Sequence, residues 1–556
     1  MKIKIALFVF LLCISQSNVF STIQINSVSD LLKLMNKTAP FDDWSADYQL
    51  TRNLNLTGYS NSSTPAVKPI GNSTTQFTGS FDGQGYSITN LLLNDPSNDY
   101  QGLFGYVKTN KTITNLNVSG TITGNIYCGI LCGLIQDGTV TNCSSSGEVS
   151  CEEIGGGLIG GLDHAIALNS NSSANISGLY GSLEMSYLGG FIGGGFNCNV
   201  SNCYSTGSVN GNDAIGGFAG DFHSGEARNC YTSGNVNGTS ECGGFCGQMY
   251  GTNIYYCHSS GNTHGTILVG GFCGYVWQST LYNSYSSGNT SGYHSIGGFC
   301  GFTNISSNIN NCYSTGNTTA YYGYVGGFCG LNTSSSTINY CYSTGYVTSY
   351  RDFAGGFCGK TYSSSQINSS FSTGNVNANW GFAGGFCSAI EGSSSIMNCY
   401  STGNIYGLDY VAGFCGTCGD NAVISSCYSI GVPTVNGYAA NPAGFIASIN
   451  VPSTISCNFW GFEGANIMDT RNSDVDDGRI KERSTYRLTR QSSFDPCFDF
   501  ENSWVMGAYV KHSSYYNPML RGFGYTIVPT LSDWAISIFI GLLAIFGSWF
   551  VWRRIG

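Results

Sequence analysis

The sequence predicts an all-β protein built as a stacked solenoid. Three observations carry that prediction: a glycine-rich and charge-poor composition, a pentapeptide that recurs every 27 to 33 residues, and short apolar runs without helical periodicity. Glycine occurs 78 times and proline 10 times in 556 residues, and only 9% of residues are charged, against about 25% in ordinary globular domains. Ser, Thr, Asn and Tyr carry the polarity instead, and these residues suit turns and strand surfaces better than long helices. The net charge of −10 argues against a phosphate-binding surface, which needs clustered Lys and Arg, so nucleic acid is not expected as a partner.

The pentapeptide is of the Gly-Gly-Phe-Cys-Gly kind, and its first residue falls at Gly129, Gly156, Gly189, Gly216, Gly243, Gly270, Gly297, Gly326, Gly355, Gly384, Ala412 and Ala443. A second motif of the Asn-Cys-Tyr-Ser-Thr-Gly kind follows, as at Asn202 to Gly207, Asn311 to Gly316 and Asn398 to Gly403. Leucine-rich repeats of this length need several Leu per unit, and these units have almost none. Runs such as Val269 to Cys273 suit strands, and the Ser, Gly and Asn clusters between them suit turns. A coil of about three short strands, each bonded to its equivalent in the next coil, satisfies the pattern. About thirteen coils are expected, making a rod on the order of 60 Å long at the spacing between strands.

Each motif position then becomes a column. Phe191, Phe218, Phe245, Phe272, Phe299, Phe328, Phe357, Phe386 and Phe414 are expected to stack face upon face. Seventeen of the 24 cysteines fall into two further columns. One holds Cys132, Cys246, Cys273, Cys300, Cys329, Cys358, Cys387 and Cys415; the other holds Cys143, Cys203, Cys230, Cys257, Cys312, Cys341, Cys399, Cys427 and Cys457. Buried thiols, disulfides between neighbouring coils and metal-bound thiolates are the competing readings. Cα atoms about 4.8 Å apart permit disulfides. The substitutions Ser284 and Ser370 in one column, and Ile159, Ile192 and Ala219 in the other, behave as a small core slot does. Cys415 and Cys418 form one C-x-x-C pair, a weak metal or redox signal alone.

The ends carry different instructions. Met1 to Ser21 follows the charged, apolar, polar order of a secretory signal peptide. Trp534 to Trp552 is long and apolar enough to cross a bilayer as a helix, and Arg553 and Arg554 behind it favour the cytoplasmic side. A glycolipid-anchor signal is the rival reading, but such tails end apolar. The segment before the helix contains Pro529, Thr530, Leu531 and Trp534. Together with the helix and basic end it resembles the IPTL-CTERM class of bacterial sorting tails, with Val528 and Ala535 in place of the usual Ile and Gly. That resemblance implies an exosortase-like processing enzyme as a partner; a plain membrane anchor is the alternative. The expected organisation is a signal peptide over 1–21, a cap and opening coils over 22–100, repeats over 101–456, a closing segment over 457–525, and the sorting motif, transmembrane helix and basic tail over 526–556. Ser29 to Met35 reads as a short helix that caps the first coil.

The two repeated motifs resemble those of GLUG-motif proteins, with Phe-Cys in place of the more usual Leu-Val. The resemblance extends to Pro69-Ile70-Gly71 and Gly102 to Tyr106 upstream, and to Cys457 to Trp460 and Pro518-Met519-Leu520 downstream. It implies a right-handed parallel β-helix of the kind found on exported and surface proteins of bacteria, some of them adhesin-like, and no shared activity.

Enzymes built on β-helices gather carboxylates with Arg, Lys or His on one face of neighbouring coils. Here the acids from 200 to 445 (Asp213, Asp221, Glu226, Glu241, Asp352, Glu391, Asp409 and Asp420) seldom recur at matching positions. Asp221, His223, Glu226 and Arg228 form the densest polar cluster, read first as a solvated turn; Asp474, Asp476 and Asp477 read as an exposed loop. The six histidines show no zinc spacing. No catalytic, cofactor or metal residue is therefore expected. The favoured function is a non-enzymatic surface solenoid, adhesive or scaffolding, with a glycan or cell-surface ligand; the alternative is a carbohydrate-active enzyme with a sparse acidic site.

Overall fold

In the coil that begins at Ile267, the chain runs through Ile267–Gly270, bends at Gly271 and Phe272, and continues as Cys273–Trp277. It turns into Thr280–Tyr282 and then into Tyr285–Ser286 and Thr290–Gly292 before the next coil starts at His294. In the first three of these strands the inward residues are apolar and fully buried, as with Val269, Cys273, Val276 and Leu281, and in the last two they are the hydroxyl residues Ser286 and Thr290. The computed structural model describes residues 22–179, 186–435, 442–450 and 452–461, and the backbone of Met468–Thr470, Ile480–Glu482, Trp504–Met506 and Pro518–Leu520. The expected signal peptide, the Asp474 to Asp477 patch, the sorting motif and the apolar C-terminal segment lie outside the described residues. Among those residues no helix is long and apolar enough to cross a membrane.

Successive coils pair in register and in parallel, giving three long sheets. The first sheet has sixteen strands, one per coil, from Ile23–Ile25 to Thr454–Ser456, more than the thirteen coils expected. The extra coils come at the N-terminal end, where strands such as Tyr48–Leu50 pair like the others although no pentapeptide marks them. The second sheet contains the strands around the pentapeptide, and the third those that begin with the Tyr-Ser pair of the second motif. The fold is an all-β parallel solenoid. Residues 1–485 form one compact unit and 486–556 another; in the latter, Trp504–Met506 pairs antiparallel with Pro518–Leu520.

Helix α1, Val28–Met35, is capped by the Ser27 hydroxyl, which accepts from the Asp30 N–H at 3.2 Å. It buries Leu31, Leu32, Leu34 and Met35 in the same apolar cluster as Ile25 and Leu50 of the first coils. A cap of this kind covers apolar surface that the first coil would otherwise present to water.

The two repeated motifs meet inside the coil. The Ser of Asn-Cys-Tyr-Ser is fully buried and donates to the carbonyl oxygen of the second glycine of the pentapeptide: Ser259 to Gly271 at 2.5 Å, Ser343 to Gly356 at 2.7 Å, Ser401 to Gly413 at 2.8 Å. That approach leaves no room for a side chain, because a Cβ on Gly271 would collide with the Gly298 carbonyl of the next coil. The Phe between them forms the predicted stack. From Phe191 to Phe445 the ring centroids lie 4.7–5.0 Å apart with planes within 12° of parallel. Phe218, Phe245, Phe272, Phe299, Phe328, Phe357 and Phe386 all belong to it, and all are buried.

Candidate interaction surface

The cysteine columns are structural. Every described column cysteine except Cys457 is a buried free thiol. The register explains why. Cysteines such as Cys246, Cys273, Cys300, Cys329 and Cys358 pair directly across parallel strands, so their Cβ atoms stay as far apart as the strands, about 4.8 Å, whereas a disulfide needs about 3.5–4.5 Å. In the second column the thiol is a hydrogen-bonding group. The Cys230 N–H donates to Cys257 Sγ at 3.4 Å, and the Cys257 N–H donates to Ser284 Oγ at 3.2 Å. Cys203, Cys230 and Cys257 each donate S–H to the carbonyl two residues earlier, at 3.3 Å, and Ser284 does the same at 3.1 Å. Serine and cysteine therefore interchange. Cys457 does not belong to the column: the Cys427 N–H donates to Asn458 Oδ1 at 3.0 Å, which makes Asn458 the occupant, and Cys457 is disulfide-bonded. Burial raises Cys132 and Cys143, the latter to about 12, so these thiols are poor nucleophiles. Among the described residues no three His, Cys, Asp or Glu side chains are grouped so as to hold a metal ion.

The Asp221, His223 and Glu226 cluster is split by the fold. Asp221 and His223 lie in the second-sheet strand Ala219–His223, and Glu226 lies beyond the turn in the first sheet. Glu226 is paired with Arg228 at 3.0 Å, and Arg228 lies 4.4 Å from the centre of the Tyr255 ring. The charge of Asp221 is felt by a residue that the sequence did not single out, Glu241. Asp221 is 5% exposed with Oδ1 unpartnered, and Glu241 Oε2 is also buried and unpartnered. Burial pushes Asp221 up to about 7, against hydrogen bonds from Gln248 and the Phe222 N–H. Burial and then the charges of Asp213 and Asp221 push Glu241 up to about 7. Two carboxyls poised near neutrality are a general acid–base pattern.

A larger feature is the corner between the third and second sheets. Here the coils change length. Paired residues are 27 apart at Trp277 and Asn304, 28 at Thr280 and Asn308, still 28 at Gly292 and Ala320, and 29 at Ile296 and Val325. One residue is thus inserted in the turn after Asn304, and a second in the corner between Ala320 and Val325. The corner insert adopts left-handed backbone, with φ of 73° at Gly323, 68° at Asp352 and 88° at Gly381. Asp352 accepts from the Gly323 N–H at 3.1 Å, tying one enlarged corner to the next.

These corners carry a cluster of exposed aromatics. Tyr321 and Tyr322, Tyr350 and Trp380 project from three consecutive coils, flanked by Tyr293 and Tyr410, and each is 37–60% exposed. Beneath them Tyr324, Phe353 and Phe382 form a half-buried ladder that ends on the exposed Tyr410, with centroids 4.6–5.2 Å apart. The exposed rings differ from the buried stack: Tyr293 to Tyr321 is 5.4 Å and 41°, and Tyr321 to Tyr350 is 5.7 Å and 38°. A second ladder that the sequence reading missed, Tyr204 to Tyr428 through His258 and Phe371, lies on the outer face of the Tyr-Ser strands, half-buried over most of its length, with planes within 6° of parallel. The tyrosine of the second motif was its signal.

Comparison with known proteins agrees with the repeat. The GLUG motif is matched over residues 186–210, the coil that contains Phe191 and Cys203, and the register extends that coil through the stack. A Gly-rich membrane protein of Evansella cellulosilytica is 36% identical over 73 residues, 13% of this chain and 8% of that one. Halomucin of Haloquadratum walsbyi is 33% identical over 118 residues, 20% of this chain and 1% of that one. The chain thus matches only a small part of either relative's length. No solved structure matches the chain.

Proposed function

We propose that this GLUG-motif solenoid is a non-enzymatic protein exported to the cell surface, where its outward face serves as an adhesive or scaffolding surface. One observation carries the reading: the repeating Phe, Ser, Cys and Gly are consumed inside the stack, and the outside is built from uncharged polar and aromatic side chains. Phe, Ser, Cys and Gly of the two motifs are buried in every regular coil, while Tyr, Trp, Asn and Thr make the corners. A rod that spends its repeats on its own length presents a long surface at little cost in charge. The names of the two relatives, a membrane protein and a halomucin, support a surface setting. In this reading the signal peptide directs export, Trp534 to Trp552 with Arg553 and Arg554 anchors the chain, and the segment from Pro529 to Trp534 recruits a processing enzyme.

Protease treatment and antibody labelling of intact producing cells test display. Removal of residues 526–556 is expected to move the protein from the cell fraction to the medium, and protection from protease on intact cells refutes surface exposure.

The Asp221 and Glu241 carboxyls favour one second reading, a carbohydrate-active enzyme. Release of reducing ends from a panel of polysaccharides, abolished by Asp221→Asn or Glu241→Gln, establishes it; no release by the intact protein rejects it.

A further inference from the structure

We infer that the enlarged corners form a binding ridge for an unbranched, uncharged polysaccharide, with Tyr321, Tyr322, Tyr350 and Trp380 as its stacking platform; this rests on the surface-display reading above. Three properties of the ridge point to that ligand. The first is the state of the ring faces. In the buried stack each ring face is covered by its neighbour at planes within 12°. On the ridge the rings of Tyr293, Tyr321 and Tyr350 are tilted by 38–41° and leave ring area open to solvent, while Arg351 lies over the face of Tyr322. An aromatic face is the negative pole of the ring quadrupole and attracts the weakly positive C–H face of a sugar ring.

The second property is charge. The exposed charged side chains around the platform are Arg351 and Asp352, which sum to zero, and the partly buried Asp409 stands beside Tyr410 at the far end. Arg351 is held 5.2 Å from the centre of the Tyr322 ring, and Asp352 accepts from the Gly323 backbone. Neither is left over for an ionic partner. Nucleic acid or an anionic polymer needs clustered Lys or Arg, and a basic partner would need unpaired acids; a neutral chain needs neither. Charge complementarity therefore selects an uncharged ligand.

The third property is repetition. An aromatic recurs in three successive coils, at 5.4 Å from Tyr293 to Tyr321 and 5.7 Å from Tyr321 to Tyr350; in the next coil Asn379 takes that register and Trp380 stands one residue further on. A hexose polymer also presents the same face at a short, regular spacing, so one chain can lie along several coils. Each contact is weak, and the sum along the rod supplies the affinity. Beneath the platform the 27-residue coils place Ala214, Glu241 and Leu268 in the column where the longer coils have Tyr324 and Phe353.

The test uses the intact protein with unbranched neutral hexose hexamers, α- and β-linked, as probes, and an oligogalacturonate of equal length as the anionic control. Calorimetry and tryptophan fluorescence read binding. At least one neutral hexamer is expected to bind, more tightly than its trimer, with the oligogalacturonate at least about tenfold weaker. The triple variant Tyr321→Ala, Tyr350→Ala, Trp380→Ala is expected to lose at least about tenfold in affinity with an unchanged unfolding temperature, because these side chains are exposed. A single Trp380→Phe substitution, which keeps a ring, is expected to retain most of the binding. Failure of every neutral hexamer to bind, or equal binding by the triple variant, overturns the ridge. If cells carrying the triple variant attach to surfaces as the parent does, the ridge fails while surface display stands. If the parent never reaches the surface, the display reading fails first. Attachment lost in the triple variant but indifferent to competing hexamer assigns the ridge to a protein partner and refutes the polysaccharide.

Discussion

The 27-residue coils between Gly189 and Gly297 and the 29-residue coils between Gly297 and Gly384 share one interior and differ outside. The buried Phe stack crosses the boundary without a change in spacing: Phe272 to Phe299 and Phe299 to Phe328 are both 4.8 Å. The serine-to-glycine hydrogen bonds also continue, from Ser259 and Gly271 to Ser343 and Gly356. Just outside, a single column changes character. In register it reads Tyr187, Ala214, Glu241, Leu268 and Ser295 in the short coils, then Tyr324, Phe353, Phe382 and Tyr410. The short region uses the column to bury a carboxyl, and the long region uses it to support an aromatic platform. Insertions are absorbed in corners, where left-handed residues take up the extra length, so the ladder of backbone hydrogen bonds survives and the outside is free to differ.

The strongest way to break the comparison is to cut the shared interior on each side. Phe272→Ala in the short region and Phe328→Ala in the long one each remove a fully buried ring, and each is expected to cost about 3–5 kcal/mol. Coils unfold in segments rather than all at once, so hydrogen exchange of the neighbouring strands is the measurement. Equal loss of protection on both sides is expected; a much smaller loss at Phe328 would mean that the longer coils no longer depend on the stack.

Much of the interior was legible in the sequence because each inward position recurs as the same residue, and recurrence becomes a column once coils stack. The outside was not. Glu241 and Asp221 come together across two coils through the offset between a corner and the next strand, and nothing local in the sequence reports that offset. Asp221 and Glu226, adjacent in sequence, are parted by a turn. Cys457 shows how register fails at the edge of a repeat: the final step is 31 residues from Cys427 to Asn458, and a count by motif stops one residue short. Cα spacing permits a bridge while the Ser, Ala and Ile found in the columns favour a small core slot, so the sequence left thiol and disulfide both open; parallel Cβ directions decide against the bridge.

The second test uses the buried carboxyls. In the folded chain Asp221 and Glu241 ionise near pH 7, above their ordinary values of 3.8 and 4.5. The folded state therefore holds protons that the unfolded state has released, and stability falls as pH rises from about 4 to 7, then levels off. Asp221→Asn is expected to flatten that fall by a few kcal/mol and to leave the 29-residue coils unaffected, as read by protection of the Cys246–Tyr250 strand at pH 5 and pH 8. An unchanged pH profile would show that the carboxyl is not buried in solution.

A smaller effect is expected at the equivalent column position in the long region. Phe353 stacks on Tyr324 at 5.1 Å and on Phe382 at 5.2 Å but is only half-buried. Phe353→Ala is expected to cost about 1 kcal/mol, with no dependence on pH, and a cost as large as that of Phe328→Ala would make the outer ladder part of the core.

The smallest effect sharpens what the two regions share. Cys257 and Cys341 lie in the same column on either side of the boundary; each accepts the backbone N–H of the coil before it, at 3.4 Å. Ser284 and Ser370 perform that task elsewhere in the column, at 3.2 and 3.1 Å. Cys257→Ser and Cys341→Ser keep the acceptor and are each expected to change stability by less than about 1 kcal/mol, while the corresponding Ala variants leave a buried N–H unpaired and cost about 1–3 kcal/mol. Melting of the four variants under reducing conditions gives the order. If serine proves as costly as alanine, the column is held by the size of the sulfur rather than by its hydrogen bond, and the interchange of serine and cysteine along the rod needs a different cause.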